Sequence, residues 1–308
     1  MEDNEHMLLS DAMAFDQAVA GFPSGVQEKL RRYRETDDFC GVIPASDAEF
    51  IADRTGWSMN QVMLGLLPFA RAYARPPISR FDVGAISQGL SGNLYYGANM
   101  EFVGEALSFC VHAEQAAAVN AWVHNETGLR AVAMTAAPCG YCRQFLYELE
   151  TYSTLEILLP ERQPTTLMSL LPDAFGPSDL GARGGLMKTV DHGLALESKD
   201  AVVRAALAAA NMSYAPYSKG YAGVALGCID GRIYAGPYAE NAAFNPSMSP
   251  MEAALAHLNM CGREYREIRQ AVLVEVQDSV CSQVDASRKV LGSISQVELV
   301  VAYARVNA

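Results

Sequence analysis

FDVGAISQGLSGNLYYGANME, residues 81–101, and GYAGVALGCIDGRIYAGPYAE, residues 220–240, read as one hairpin written twice. In an ungapped register 139 residues apart, Gly84 matches Gly223, Gly92 matches Gly231 and Tyr95 matches Tyr234. Gly97 then matches Gly236, and Glu101 matches Glu240. Identities confined to turn and strand-end positions mark a duplicated structural unit. In the first copy, Phe81–Ser87 and Leu94–Glu101 read as strands around a Gly/Ser-rich turn at Gln88–Gly92.

Strands and helices alternate outward from the hairpin. About Ala113–Val123 reads as an alanine-rich helix and Ala131–Ala136 as a buried strand. Pro138 opens a second helix, about Gly140–Leu149, because proline suits a first turn. Leu155–Leu159 is a further apolar strand. The pattern predicts an α/β fold with three layers, α/β/α, duplicated in tandem. The first 75 residues read as helical. Ser46 and Glu49 form a capping-box pattern, and Val62, Leu64, Leu66, Phe69 and Ala70 line a helix that Arg75-Pro76-Pro77 ends. Pro160, Pro164, Pro172 and Pro177, with the glycines between 181 and 185, mark a long connector. The expected divisions are a small helical module at 1–57, a first domain at 58–178, a linker at 179–197 and a second domain at 198–308.

Composition narrows the functional classes. Of 308 residues, 50% are hydrophobic and 19% charged, which excludes a disordered or fibrous chain. Against 35 acidic residues there are 23 basic ones, a net charge of −12, so a phosphate backbone is a poor partner. No run approaches the roughly 20 apolar residues that span a bilayer. The opening Met1-Glu2-Asp3-Asn4-Glu5-His6 lacks the basic region of an export signal. The expectation is a cytoplasmic protein with no membrane and no nucleic-acid partner. Seven cysteines, an odd number, favour thiols or metal ligands over a disulfide framework. Arg31-Arg32-Tyr33-Arg34 reads as a solvated helix face, and His6, His124, His192 and His257 lie outside any ligand spacing.

Two short motifs carry chemistry. His112-Ala113-Glu114 begins the alanine-rich helix, and Pro138-Cys139-Gly140-Tyr141-Cys142 begins the next. Cys139 and Cys142 are three apart, so both thiols lie on one face of a first turn. Two thiolates and a neutral imidazole neutralise Zn²⁺, and three protein ligands leave a fourth tetrahedral position for water, as in catalytic sites. Glu114 cannot share a helical face with a residue two positions away, so His112 is expected at the cap. From there Glu114 can reach the water without ligating the metal, and can carry its proton. A redox dithiol is the rival reading of the two cysteines, but it leaves His112 and Glu114 unexplained.

His-x-Glu followed by Pro-Cys-x-x-Cys is the signature of zinc deaminases of cytosine and adenine. The chain resembles the larger, two-domain cytidine deaminases that act on free nucleosides as homodimers. Ser79–Ala85 and Gly97–Glu101 are similar to that family's nucleoside-pocket segments, and Leu171–Pro177 to its linker. Tyr214–Ser218 and Ala239–Pro246 are similar to its second domain, so the likeness runs from about residue 55 to the end. The resemblance implies one Zn²⁺ per chain on His112, Cys139 and Cys142, with Glu114 as proton shuttle. It implies a nucleoside site that includes Phe81, Asn99, Met100 and Glu101, in which Asn99 and Glu101 bond the ribose and Phe81 packs on the pyrimidine. Groups near Ala113 and Ala137 read the base edge, and Phe175 and the Ala242 region arrive from the partner subunit of a homodimer. Read as residues alone, Phe81 is equally a core candidate and Asn99 and Glu101 could simply end a strand.

The second copy tests the repeat. Removing two residues from the loop aligns Ala116-Ala117 with Ala253-Ala254, so His112 falls on Ser249 and Glu114 on Met251. Restoring three aligns Ala131-Val132 with Ala271-Val272, so Cys139 falls on Ser279 and Cys142 on Ser282. All four chemical positions are lost, which predicts a second domain serving structure and the dimer interface. Deamination of cytosine in nucleotides or single strands is the alternative activity, disfavoured by the charge. A non-catalytic zinc scaffold is the alternative class, and it requires a fourth protein ligand, for which Cys110 is the nearest candidate.

Overall fold

The elements before the hairpin include Ser24–Glu35 (α1), Val42–Ile43 (β1), Ala45–Thr55 (α2) and Met59–Arg71 (α3). The structure, a computed structural model, describes residues 15–306. The helix at 45–55 has Pro44 at its N-cap with no side-chain bond, so Ser46 and Glu49 do not make the expected capping box. That motif stands instead at α3, between Ser58 and Gln61.

Gly84–Gly89 (β2) pairs antiparallel with Leu94–Ala98 (β3) and with Leu129–Met134 (β4). The helix Ala113–Val123 (α4) lies between β3 and β4 in the chain. Gly140–Leu146 (α5) then leads to Glu156–Leu158 (β5), parallel to β4, and to Thr165–Thr166 (β6) and Leu167–Leu170 (α6). The first sheet runs β1-β3-β2-β4-β5-β6. After Leu194–Ala195 (β7) the pattern repeats: Ala201–Met212 (α7), Ala222–Cys228 (β8), Ile233–Pro237 (β9), Pro250–Met260 (α8), Ile268–Val276 (β10), Val284–Ile294 (α9) and Leu299–Val306 (β11). The second sheet runs β7-β11-β10-β8-β9, again with one parallel pair, β10 and β11.

Strand alternation sends side chains to opposite faces. Ala85, Tyr95, Val132 and Met134 pack with α4, whereas Ile86, Tyr96, Ala131 and Ala133 pack with α3. The second sheet divides in the same way between α8 and α7. The α4 and α8 sides share one apolar core, so the two units meet through that helix pair.

The repeated glycines now have physical reasons. A Cβ on Gly97 would lie 2.2 Å from the amide nitrogen of Ala117 in α4, and one on Gly236 2.0 Å from that of Ala254 in α8. Both glycines let a helix rest on backbone. Gly92 and Gly231 have φ of +90° and +82° in the hairpin turns, a region that favours glycine.

The later register needs correction. Ala85 faces Met134 across the ladder, and Val224 faces Leu273. Each of these pairs of counterparts is 139 apart, so Ala131-Val132 does not align with Ala271-Val272. The insertion falls after the strand: β10 has nine residues against six in β4, and the N-caps of α5 and α9 are Cys139 and Gln283. The cysteine expectation also changes. Cys110, Cys139, Cys142, Cys228 and Cys281 are thiols, but Cys40 and Cys261 form a disulfide. These two lie 221 apart in sequence and meet where the N-terminal module bonds Asn120 of α4 and Arg263 just past α8.

Candidate metal centre

His112 is the N-cap of α4, with φ −88° and ψ 153°, the non-helical position its chemistry requires. Its backbone N–H donates to Gln115 Oε1 at 3.2 Å, and its ring turns to the sulfurs. In the copy, Ser249 holds the same cap, but its hydroxyl is spent on the Glu252 amide. Cys139 is the N-cap of α5 and Cys142 lies in its first turn.

His112 Nδ1 lies 3.5 Å from Cys139 Sγ and 3.3 Å from Cys142 Sγ, and the two sulfurs are 3.8 Å apart. A tetrahedral zinc with Zn–S near 2.3 Å and Zn–N near 2.0 Å sets S···S at about 3.8 Å and S···N at about 3.5 Å. The three ligand atoms thus occupy three corners of the right tetrahedron. Among the described residues, no fourth His, Cys, Asp or Glu joins this group, Cys110 included.

The electrostatics split the two thiols: the Cys142 thiol, then His112, bring Cys139 down to about 3, whereas the bond to Cys139, then burial, pushes Cys142 well up. Burial raises the Glu114 carboxyl above the usual carboxylate range, against the pull of His112 and Cys142. Glu114 is 5% exposed in the second position of α4, and Met251 fills that position in the copy. The sequence-expected counterparts of the cysteines, Ser279 and Ser282, bond the Cys281 carbonyl and the Glu275 carboxylate. The cap counterpart of Cys139, Gln283, is no thiol either.

The other expected residues fall into distinct situations. Phe81 is 60% exposed and so is not core. Asn99 accepts from the Val83 amide at 2.9 Å and donates to the Phe81 carbonyl at 2.9 Å. Glu101 accepts from the amides of Ile78 and Ser79, both at 2.8 Å, and from the Ser79 hydroxyl at 2.5 Å. Burial opposes its charge, but the Ser79 hydroxyl and the two amides win and hold it below the usual range. Glu240 repeats this grip on Tyr217 and Ser218, and Arg80 and Lys219 both carry positive φ in the gripped loops. The retained Glu240 is therefore a structural acceptor. Met100 requires a correction: it is fully buried, its N–H and C=O both pair with Val111, and its sulfur accepts from Tyr265. It has no group to offer a ligand.

Ala113 is buried beside His112, and Ala137 is exposed in the loop before Cys139. Phe175 is 49% exposed, and its carbonyl accepts from Gln144 of α5. Ala242 is buried, with its N–H on Glu148 Oε1 of its own chain at 2.7 Å. Sequence reasoning missed Tyr141, whose ring stacks 6.0 Å from His112 and whose hydroxyl donates to the Asn245 carbonyl. It also missed Glu148; both bond across about a hundred residues, beyond any spacing rule. A 560 Å³ surface groove at Arg266, Arg269 and Ser295 contains none of the expected site residues. No helix among the described residues is long and apolar enough to cross a membrane.

The family described as the cytidine and deoxycytidylate deaminase zinc-binding region matches twice, at residues 59–155 and 167–288. A cytidine deaminase of Serratia proteamaculans (strain 568) is 45% identical over 280 residues, 91% of this chain and 95% of its own. One of Photorhabdus laumondii subsp. laumondii is 48% identical over 272 residues, 88% of this chain and 92% of its own. The crystal structure of cytidine deaminase from Mycobacterium tuberculosis is 35% identical and covers 38% of this chain and 96% of its own, with a TM-score of 0.35.

Proposed function

The chain belongs to the zinc-dependent cytidine deaminase family, and on that premise we propose how its own residues divide the work. The enzyme hydrolyses cytidine to uridine and ammonia. His112, Cys139 and Cys142 are the zinc ligands, a reading carried by the tetrahedral spacing of their three atoms. When bound, zinc supplies Lewis acidity and a water that loses its proton near neutral pH. Glu114 takes one proton from the attacking water and delivers it to ring N3 as oxygen adds at C4, then takes the proton of the new C4 hydroxyl and passes it to the amine, which leaves as ammonia as the C4 carbonyl forms. Its burial suits the role, because a carboxyl raised above its ordinary value takes up a proton more readily than a solvated one.

Asn99 and Glu101 take the sugar, Phe81 packs on the base, and backbone near Ala113 and Ala137 reads its polar edge. Deoxycytidine is a second substrate. Residues 58–178 form the catalytic unit and 198–308 a structural one, joined by a linker at 179–197. We read the protein as a cytoplasmic homodimer serving pyrimidine salvage. The exposed apolar side chains of Val103, Leu107, Phe175 and Phe244 support a partner subunit that covers them. The absence of a fourth protein ligand in the group speaks against the scaffold reading.

Ammonia release from zinc-loaded protein tests the whole scheme, with cytidine, deoxycytidine, CMP and a cytosine-bearing single strand side by side. Turnover of the two nucleosides alone is expected. Turnover of CMP or the strand overturns the sugar pocket, and one bound zinc without turnover overturns the catalytic reading.

A further inference from the structure

Glu148 lies just beyond α5, is fully buried, and has no part in the chemistry above. Every donor to its carboxylate comes from the second domain. Oε2 accepts from the Tyr214 hydroxyl at 2.6 Å and the Tyr217 hydroxyl at 2.9 Å, and Oε1 from the Ala242 amide at 2.7 Å. Its carbonyl accepts from the linker amides of Gly185 and Leu186, each at 3.0 Å. Catalytic unit, linker and second domain thus meet on one residue.

The segment fixed by this carboxylate rests on α5. Asn241 Nδ2 donates to the Gln144 carbonyl at 2.8 Å, and Asn245 accepts from Tyr141, the neighbour of Cys142. Seating 241–245 therefore sets the position of the helix that holds two ligands. The duplication provides an internal comparison. Counting from the N-caps Cys139 and Gln283, the counterpart of Glu148 is Gly292, and the counterparts of Tyr214 and Tyr217 are Arg75 and Ile78. The second copy has no carboxylate there, so the tie exists only on the side whose helix carries chemistry.

We infer that Glu148 is a positioning residue for deamination: it keys the second domain onto α5 and thereby holds Cys139, Cys142 and Tyr141 in register with Glu114. The inference rests on the proposed roles of those residues, and wild-type zinc content and turnover, measured alongside, distinguish a failure of that reading from a failure of this one.

Glu148→Ala strands three donors, the buried Ala242 amide and two half-buried tyrosine hydroxyls, whereas Glu148→Gln keeps an acceptor for Ala242 and an amide that the tyrosines can accept from. Cobalt-substituted protein is compared by visible absorption, together with kcat, KM and melting temperature for the zinc form. A ligand displacement on the order of 1 Å costs about 10²-fold in rate. Expected are a kcat loss of about that size in Glu148→Ala, a smaller change in KM, an altered cobalt spectrum well below melting, and substantial rescue in Glu148→Gln. If Glu148→Ala does not fold, Tyr214→Phe combined with Tyr217→Phe is measured in its place, with the same expected direction. Native kcat and an unchanged cobalt spectrum in the folded variant, whatever its melting temperature, overturn the inference.

Discussion

Gly97→Ala and Gly236→Ala impose the same insult on the two halves of the molecule, only one of which carries chemistry. At Gly97 the added methyl sits 2.2 Å from the Ala117 nitrogen and 2.3 Å from the Ala113 carbonyl oxygen. At Gly236 it sits 2.0 Å from the Ala254 nitrogen and 2.4 Å from the Ala253 carbonyl carbon. All four atoms are helix backbone, and neither helix can yield by rotating a side chain. Each must move off its strand by roughly 1 Å to reach an allowed contact. Overpacking of this kind costs about 1–3 kcal/mol in either half. The catalytic consequences differ. Ala113 stands between His112 and Glu114, so lifting α4 displaces a ligand and the proton carrier together. A displacement of about 1 Å at reacting groups lowers kcat by about 10²-fold, close to 2.7 kcal/mol. The shift of α8 carries only Ser249 and Met251. Steady-state ammonia release, measured well below each melting transition and normalised to bound zinc, should show a large loss for Gly97→Ala and at most a few-fold loss for Gly236→Ala. Equal losses, or native kcat in Gly97→Ala with a lowered melting temperature, would refute the coupling of this strand contact to the site.

Three further outcomes are expected. Glu114→Gln retains one zinc by elemental analysis and loses about 10²–10⁴-fold in kcat; near-native turnover in the metal-loaded variant removes Glu114 from the proton path. Cys139→Ala is recovered folded by circular dichroism but without stoichiometric zinc, and full zinc content strikes it from the ligand set. Burial brings Glu252 up to about 7, so its folded-state pKa lies above the unfolded value near 4.5. The stability it contributes is full below about 4.5 and is lost as pH rises through about 7. Glu252→Gln, which installs the residue found at Gln115 in the first copy, removes that loss. The stability gap between variant and wild type, from urea titrations, widens toward high pH by up to about 1.4 kcal/mol per pH unit; a gap constant between pH 4.5 and 8 is inconsistent with a buried, protonated Glu252.

The legible parts of the chain were those governed by local rules. Glycines at fixed offsets exposed the duplication because backbone contact and positive φ tolerate little else. The zinc triad was legible because coordination chemistry restricts residue type and spacing together. The later register slipped by one because β10 runs on past the end of β4, beyond the stretch that the repeated glycines anchor. Met100 was misread because it sits between two pocket candidates, although strand alternation turns it toward the core. Cys40 with Cys261, and Glu148 with Ala242, are tertiary events joining distant segments, and nothing near either partner announces them.

The grip on the loop before β2 bears on which sugar the site can tell apart. A carboxylate has about four lone-pair positions. In Glu101 three are occupied by Ile78 and Ser79 before any ligand arrives. One vacancy admits one hydroxyl. In its proposed role at the sugar, Glu101 registers a single oxygen and is blind to its neighbour, so pentoses that share the recognised hydroxyl are equivalent to it. Tolerance between ribose and deoxyribose then follows from arithmetic at an acceptor that is already nearly full.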